Sequence, residues 1–103
     1  MHEIETLAEF NNIIRNNRNV VVDFFADWCG PCKMIAPYFE ELSNKYKNIY
    51  FCKVNVDIDE IASVCDVTSL PTFLFYNNQE NVDELIGANK EKLGEKLNEL
   101  DNL

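Results

Sequence analysis

The sequence predicts an α/β fold in which helices cover both faces of a mostly parallel sheet. Segments of strand type alternate along the chain with amphipathic segments of helical period. Two of the strand-type segments are continuous apolar runs, which is typical of strands buried on both faces. A closing hairpin would add an antiparallel edge. The 103 residues suit one domain, 1–103.

The first elements lie near the N-terminus. A short strand around Glu3 to Glu5 gives the element order βαβαβαββα. Leu7 to Asn17 has apolar residues at helical spacing, and Thr6 is its expected N-cap. Glu9 stands three residues later as the capping-box partner. His2 lies at an end that is expected to fray, and we assign it no function.

The central elements surround a proline-containing helix. Val20 to Ala26 is an apolar run broken only by one carboxylate, which predicts a buried strand. Pro31 to Tyr46 is the expected helix, because Pro31 suits a first turn and the apolar residues that follow share one face. The helix also contains Pro37. Ile49 to Val56 is the second buried-type strand.

The last third of the chain predicts a short helix, a hairpin and a final helix. Ile58 to Cys65 has the apolar spacing of a short helix. The hairpin strands, their turn and the last helix are Thr72 to Tyr76, Asn77-Asn78, Val82 to Ile86 and Asn89 to Leu100.

The acidic composition narrows the function classes. Eighteen Asp and Glu residues against nine Lys and Arg residues give a formal net charge of −9. Nucleic-acid binding needs a basic footprint, and anionic membrane surfaces attract basic segments, so neither partner is expected. No apolar run approaches the ~20 residues of a membrane span. The N-terminus also lacks the pattern of a signal peptide, so we expect a cytoplasmic protein.

The motif Trp28-Cys29-Gly30-Pro31-Cys32 carries the chemistry. It lies between a buried strand and a helix, at the sheet edge where open α/β folds place their sites. Cys29 precedes the helix, so free N–H groups and the helix dipole favour its thiolate, and we expect it to be the more exposed sulfur. Cys32 follows one turn later on the same side. Gly30-Pro31 sets the strain of a disulfide between them.

Two other uses of the cysteines remain as alternatives. Cys29 and Cys32 with Cys52 and Cys65 would supply four thiolates for zinc, although there is no second Cys-x-x-Cys. A purely structural 29–32 disulfide would constrain the unfolded chain little, because its loop is short.

Asp23 is the second informative residue. A carboxylate inside a buried strand is unfavourable unless it has a use, and burial raises its pKa towards neutrality. It would then exchange protons with the thiols, directly or through water. The alternative is an Asp at the strand end that reaches solvent. Lys53 on the neighbouring strand is its candidate ionic partner, or else an ordinary surface lysine.

Leu70-Pro71-Thr72 is the third informative feature. An X-Pro bond is the only peptide bond that is commonly cis. A cis proline beside the thiols would present the backbone of Leu70 to an extended peptide, as in strand addition. The alternative is an ordinary trans turn.

These residues resemble the thioredoxin family over nearly the whole chain. The resemblance rests on the strand before the motif, the string from Asp27 to Met34, Pro37, the Leu70-Pro71-Thr72-Phe73 segment and Gly87-Ala88-Asn89-Lys90. It implies the thioredoxin fold, with a five-stranded mixed sheet and four helices. It also implies that Leu70–Pro71 is cis.

The resemblance also implies a reaction and its residues. Cys29 would be the nucleophile, Cys32 the resolving thiol and Asp23 the buried proton carrier, with Lys53 beside it. The chain would reduce client disulfides such as those of peroxiredoxins and ribonucleotide reductase. It would bind no cofactor itself, because NADPH and FAD belong to a thioredoxin reductase partner. Ser69 replaces an exposed cysteine of some relatives, so we expect a monomer.

Two rival functions remain open at this point. The chain would be a binding subunit if the fold served only as a scaffold, although both cysteines are present. It would be a disulfide oxidase or isomerase if its reduction potential were high.

Overall fold

The computed structural model describes residues 1–58 and 60–103. Within these two ranges the chain forms nine elements in the predicted order. They are β1 (His2–Glu3), α1 (Leu7–Asn16), β2 (Asn19–Phe25), α2 (Gly30–Lys45), β3 (Tyr50–Asn55), α3 (Ile61–Val64), β4 (Thr72–Asn77), β5 (Glu80–Ile86) and α4 (Lys90–Asp101). Most bounds agree with the predicted ones to within two residues.

The helix predicted from Ile58 to Cys65 is wrong at its start. Asn55 Oδ1 accepts a hydrogen bond from the backbone N–H of Asp57 at 3.0 Å, and Asn55 O accepts one from Ile58 at 3.2 Å. The N–H groups of Asp57 and Ile58 are used in this turn at the end of β3. The helix α3 therefore begins only at Ile61. The predicted helix also includes Asp59, which lies outside the described residues.

The hairpin turn lies one residue later than predicted. Asn77 still belongs to β4, and the turn is formed by Asn78 and Gln79, which have φ angles of 51° and 71°. Asn tolerates this left-handed region better than most residues.

The sheet is mixed and has five strands, as predicted. Its strand order is β1-β3-β2-β4-β5. β3 runs parallel to both β1 and β2, whereas β4 is antiparallel to β2 and β5. β2 is therefore the central strand, and its carboxyl end leads directly to the motif.

Two hydrophobic layers enclose the sheet. On one face, α2 and α4 pack against alternate residues of β2, β3 and β4. The buried members include Val21, Ile35, Phe39, Phe51, Phe73, Phe75, Leu93 and Leu97. On the other face, α1 and α3 cover Ile4, Val20, Val22, Phe24, Cys52 and Val54. Each such side chain contributes roughly 1.5–3 kcal/mol.

The N-terminal strand is fixed rather than frayed, which corrects the expectation for His2. The His2 ring lies 2.9 Å from Glu9 Oε2 through Nε2 and 3.3 Å from the Tyr50 hydroxyl through Nδ1. Thr6 caps α1 as predicted, with Oγ1 accepting from the Glu9 N–H at 3.1 Å. Glu9 Oε1 accepts a hydrogen bond from the N–H of Glu5 rather than from that of Thr6, while Glu9 Oε2 contacts His2.

Among the described residues, no helix is long and apolar enough to cross a bilayer.

Candidate active site

The motif lies at the carboxyl end of β2, where the chain turns into α2. Cys29 is the N-cap of α2, with extended backbone angles of −87° and 108°. Its Sγ accepts a hydrogen bond from the backbone N–H of Cys32 at 3.2 Å. Pro31 lies in the first turn, where its missing N–H removes no helical bond. The free donors of the helix therefore point at the Cys29 sulfur, as the sequence predicts.

Cys29 and Cys32 form a disulfide with their Cα atoms 5.3 Å apart. The residues are 5% and 3% exposed, so the expected difference in exposure is almost absent. Leu70, Val56 and Phe25 pack around the pair and cover Cys29 as well as Cys32. What distinguishes the two cysteines is the cavity that each one lines.

Cys29 lines an open groove of about 450 Å³, which we call the outer groove. The walls come from the motif, from the end of β3 and from the segment before β4. The lining residues are Trp28, Cys29, Gly30, Pro31, Val56, Val67, Thr68 and Leu70. None of them carries a charge, so the outer groove suits an extended, largely apolar segment.

Trp28 forms the exposed rim of the outer groove. Its side chain is 70% exposed, and its Nε1–H donates to Asp57 Oδ2 at 2.7 Å. Sequence reasoning missed Asp57. The available signal was its place directly after β3, at the same carboxyl edge of the sheet as the motif.

Cys32 lines a second cavity of about 180 Å³, which we call the inner cavity. Its lining residues are Asp23, Phe25, Ala26, Asp27, Cys32, Lys33, Ala36 and Lys53. α2 folds back over β2, so residues nine apart in sequence share one cavity. The structure thus brings Asp23, Cys32 and Lys53 together, as predicted, and adds Asp27 and Lys33.

Asp23 is buried inside the sheet and does not reach solvent as a strand-end residue would. It is 3% exposed, and its Oδ1 has no hydrogen-bond partner in the described part of the chain. Burial raises the pKa of Asp23 from its ordinary 3.8 to about 7, although the positive charge of Lys53 opposes the rise. The carboxyl group therefore gains and loses a proton near neutral pH.

Lys53 is a neighbour of Asp23 but not a direct ion-pair partner. The two residues are paired in register across β2 and β3, so their side chains leave the same face of the sheet. The Lys53 ammonium lies 5.0 Å from the centre of the Phe25 ring, and among the described residues it makes no ion pair within 4.0 Å. Its charge acts on Asp23 through the inner cavity.

The Leu70–Pro71 bond is cis, which confirms what the resemblance implies. Leu70 lines the outer groove beside Cys29. Pro71 is buried, and its carbonyl accepts from the Gly87 N–H at 2.8 Å, which ties this segment to the end of β5.

The remaining two cysteines lie apart from the motif. Cys52 is fully buried, with Sγ donating to the carbonyl of Val21 at 3.5 Å, and the Cys65 sulfur lies 3.9 Å from the Tyr76 hydroxyl. Burial raises the pKa of both thiols. Within residues 1–58 and 60–103, no group of three or more His, Cys, Asp or Glu side chains is placed to hold a metal. In this structure Cys29 and Cys32 are joined to each other, and the four cysteines do not form the single group that the four-thiolate zinc alternative needs.

A disulfide at a helix N-terminus, beside an outer groove and a buried carboxyl group, defines a thiol–disulfide oxidoreductase. The thioredoxin family model matches residues 2–99. The human protein named thioredoxin is 48% identical over 101 residues, which cover 95% of this chain and 96% of that one. This chain therefore belongs to the thioredoxin family.

Solved structures agree with that assignment. A structure of Plasmodium falciparum thioredoxin superposes with a TM-score of 0.94 at 45% identity, covering 96% of this chain and 98% of its own. A structure described for the thiol resolving mechanism of a yeast mitochondrial 1-Cys peroxiredoxin via glutathione/thioredoxin systems also reaches 0.94. It is 37% identical and covers 97% of this chain and 95% of its own.

Proposed function

We propose that the protein is a reductase of client-protein disulfides, with Cys29 as the nucleophile and Cys32 as the resolving thiol. One observation carries the assignment of these roles. Cys29 lines the outer groove, where a client can enter, whereas Cys32 lines the inner cavity together with Asp23. The attacking sulfur must meet the client, and the resolving sulfur must lose a proton.

In the first step, the Cys29 thiolate attacks one sulfur of the client disulfide. A new S–S bond joins Cys29 to the client, the client's own S–S bond breaks, and the second client sulfur leaves as a thiolate that takes up a proton. The helix N-terminus and the N–H of Cys32 favour the attacking thiolate.

In the second step, Cys32 gives its proton to the Asp23 carboxylate across the inner cavity and attacks Cys29. The mixed disulfide breaks, and the remaining client sulfur leaves as a thiolate. The protein is then oxidised, with the Cys29–Cys32 bond that the structure contains. A carboxyl group with a pKa of about 7 is a suitable proton acceptor at neutral pH.

The client is held in the outer groove as an extended segment. Trp28, Gly30 and Pro31 form one wall, and the backbone of Leu70, beside the cis Pro71, offers strand-like hydrogen bonds on the other. The positive charge of Lys53 lowers the pKa of Asp23, and Lys53 does not contact the client.

Recycling requires two electrons from outside the chain. We propose thioredoxin reductase as their source, with NADPH and FAD bound to that partner and no cofactor bound to this single-domain chain. Peroxiredoxins and ribonucleotide reductase are the proposed clients, and the protein is proposed to act as a monomer in the cytoplasm. The yeast structure described for a peroxiredoxin and the thioredoxin system supports the first client class.

An insulin-reduction assay tests this function. The protein, thioredoxin reductase and NADPH are mixed with insulin, and NADPH oxidation is followed. We expect steady turnover by the wild-type protein and none by Cys29→Ser. A wild-type protein that binds clients but does not turn over would instead be a binding scaffold, and the proposal would fail.

A further inference from the structure

A row of three charged residues crosses the sheet beside the inner cavity. Glu3 of β1 is paired in register with Lys53 of β3, and Lys53 is paired in register with Asp23 of β2. Residues at the same register position in neighbouring strands project from the same face. Glu3, Lys53 and Asp23 therefore form one acid–base–acid row on the face covered by α2.

The environment of the three residues changes steadily along this row. Glu3 is exposed, Lys53 is half-buried and Asp23 is buried. Beyond Asp23 the row continues with Phe73, which carries no charge. Lys53 thus has one carboxylate on each side, one in water and one inside the protein.

We propose that Glu3 modulates Asp23 from the far end of this row: its negative charge offsets the stabilisation that Lys53 gives to the carboxylate form of Asp23. Glu3 thereby favours the proton-carrying form of Asp23. This inference rests on the proposed role of Asp23 in proton transfer.

β1 is short, but its backbone is held beside β3, which keeps Glu3 at its register position opposite Lys53. The Ile4 N–H donates to the carbonyl of Lys53 at 2.8 Å, directly after the strand. His2, on the other side of Glu3, is bound to both Glu9 and Tyr50.

Other charges also face Asp23, and they set the background on which Glu3 acts. Lys33 of α2 and Asp27 of the preceding turn line the inner cavity with opposite signs. Glu40 lies one turn beyond Ala36 on the same helix and adds a carboxylate on that side. Cys32 carries no charge while it is in the disulfide.

Coulomb's law gives the direction and the smallest expected size of the effect. Two strand spacings place Glu3 and Asp23 about 10 Å apart at the backbone. With the dielectric constant of water, the direct repulsion corresponds to a pKa difference of about 0.3. Without Glu3, the positive charge of Lys53 is no longer partly neutralised, and this change also lowers the pKa of Asp23. Removal of the Glu3 charge should therefore lower the pKa of Asp23 by at least about 0.3.

The test is an NMR titration of the Asp23 side-chain carbon in the oxidised, ¹³C-labelled protein. Glu3→Gln is compared with Glu5→Gln, which removes the same charge two residues away and outside the row. At low salt we expect the Asp23 midpoint to fall by about 0.3 pH units or more in Glu3→Gln relative to wild type, and by less in Glu5→Gln. Glu3→Lys should lower the midpoint further. The effect should shrink in 0.5 M salt, where the Debye length is about 4 Å and is shorter than the Glu3–Asp23 separation.

Equal midpoints in Glu3→Gln and Glu5→Gln would overturn the inference. The pKa of Asp23 would then depend only on the net charge of the protein and not on the position of Glu3 in the row. A difference that does not respond to salt would also overturn it, since a rearranged strand would be the cause. The titration needs no turnover. If the midpoint shifts as expected but the protein does not reduce insulin, the inference about Glu3 stands and the proposed reductase function fails.

Discussion

Asp23 and Cys32 line the same inner cavity, although nine residues and a change from strand to helix separate them. Asp23 supplies a buried carboxyl group with an unpartnered oxygen, and Cys32 supplies the inner sulfur of the disulfide. Their contact with one cavity connects the fold to the proposed proton transfer.

Replacement of Asp23 by Asn should stabilise the oxidised protein at neutral and alkaline pH. The pKa of Asp23 is about 7 in the folded state and near its ordinary 3.8 when unfolded. The unfolded state therefore binds fewer protons between these values, so stability falls as pH rises from about 4 to about 7 and stays low above that. The difference corresponds to roughly 4 kcal/mol.

Melting curves of Asp23→Asn and wild type at several pH values measure this effect. We expect a higher Tm for the variant at pH 8 and a difference that shrinks towards pH 5. Asp101→Asn is the matched control, because Asp101 is exposed on α4 and does not line the inner cavity. It should keep the wild-type pH dependence. A variant at Asp23 that is less stable at pH 8 would show that the carboxylate is a structural partner of another group.

The same Asp23→Asn change should slow the resolving step. Cys32 must lose its proton before it attacks the mixed disulfide, and the buried acceptor is then missing. Single-turnover kinetics with a disulfide peptide should show a longer-lived mixed disulfide by about 10²-fold or more at pH 7. An unchanged rate would remove Asp23 from the proton transfer.

Replacement of Lys53 by Met should shift the pH dependence of the resolving step to higher pH. The Lys53 charge lowers the pKa of Asp23, so its removal leaves burial unopposed and the pKa rises above about 7. The rate of the resolving step should then reach its plateau at a higher pH. Lys92→Met, on an exposed helix surface away from the inner cavity, removes the same charge and should not move the profile. Identical profiles for both variants would show that Lys53 has no specific effect.

Serine variants of the two cysteines separate their roles. Cys32→Ser should accumulate covalent adducts between Cys29 and the client, because the resolving sulfur is absent. Cys29→Ser should accumulate almost none, since Cys32 lines the inner cavity and not the outer groove. Mass spectrometry of trapped complexes gives the site. Adducts mainly on Cys32 in the Cys29→Ser protein would reverse the two roles.

The hydrogen bond from Trp28 to Asp57 should hold the exposed indole at the rim of the outer groove. Trp28 is the only tryptophan of the chain, so the tryptophan fluorescence comes from this side chain. Asp57→Ala should lower the fluorescence anisotropy and raise the KM for a peptide client several-fold with a smaller change in kcat. Asp57→Asn keeps an acceptor oxygen and should behave like wild type. If Asp57→Ala matched wild type in both readouts, Asp57 would have no part in shaping the groove.

The local parts of the site could be predicted from the sequence. A Cys-x-x-Cys motif between a buried-type strand and a helix locates the disulfide, and a lone carboxylate in an apolar strand identifies Asp23. These conclusions need only strand and helix periodicity and the unfavourable burial of charge. The mixed sheet with four helices follows from the same alternation of elements.

The parts that were missed depend on contacts between distant segments. Trp28 and Asp57 meet across 29 residues, and Val67 and Thr68 reach the outer groove from the segment before β4. The near-equal burial of Cys29 and Cys32 follows from the packing of Leu70, which no local pattern reveals. The row through Lys53 depends on strand register, which the sheet order fixes only after folding.

The reduction potential of the Cys29–Cys32 couple tests the central claim most directly. Equilibration with a defined glutathione buffer, followed by acid quenching and mass analysis, gives the ratio of dithiol to disulfide. Thioredoxins, the reference case of this scale, lie at about −270 mV, and a protein-disulfide reductase of this family should lie close to that value. A potential of about −180 mV, typical of protein disulfide isomerase, would contradict the reductase function and favour an oxidase or isomerase.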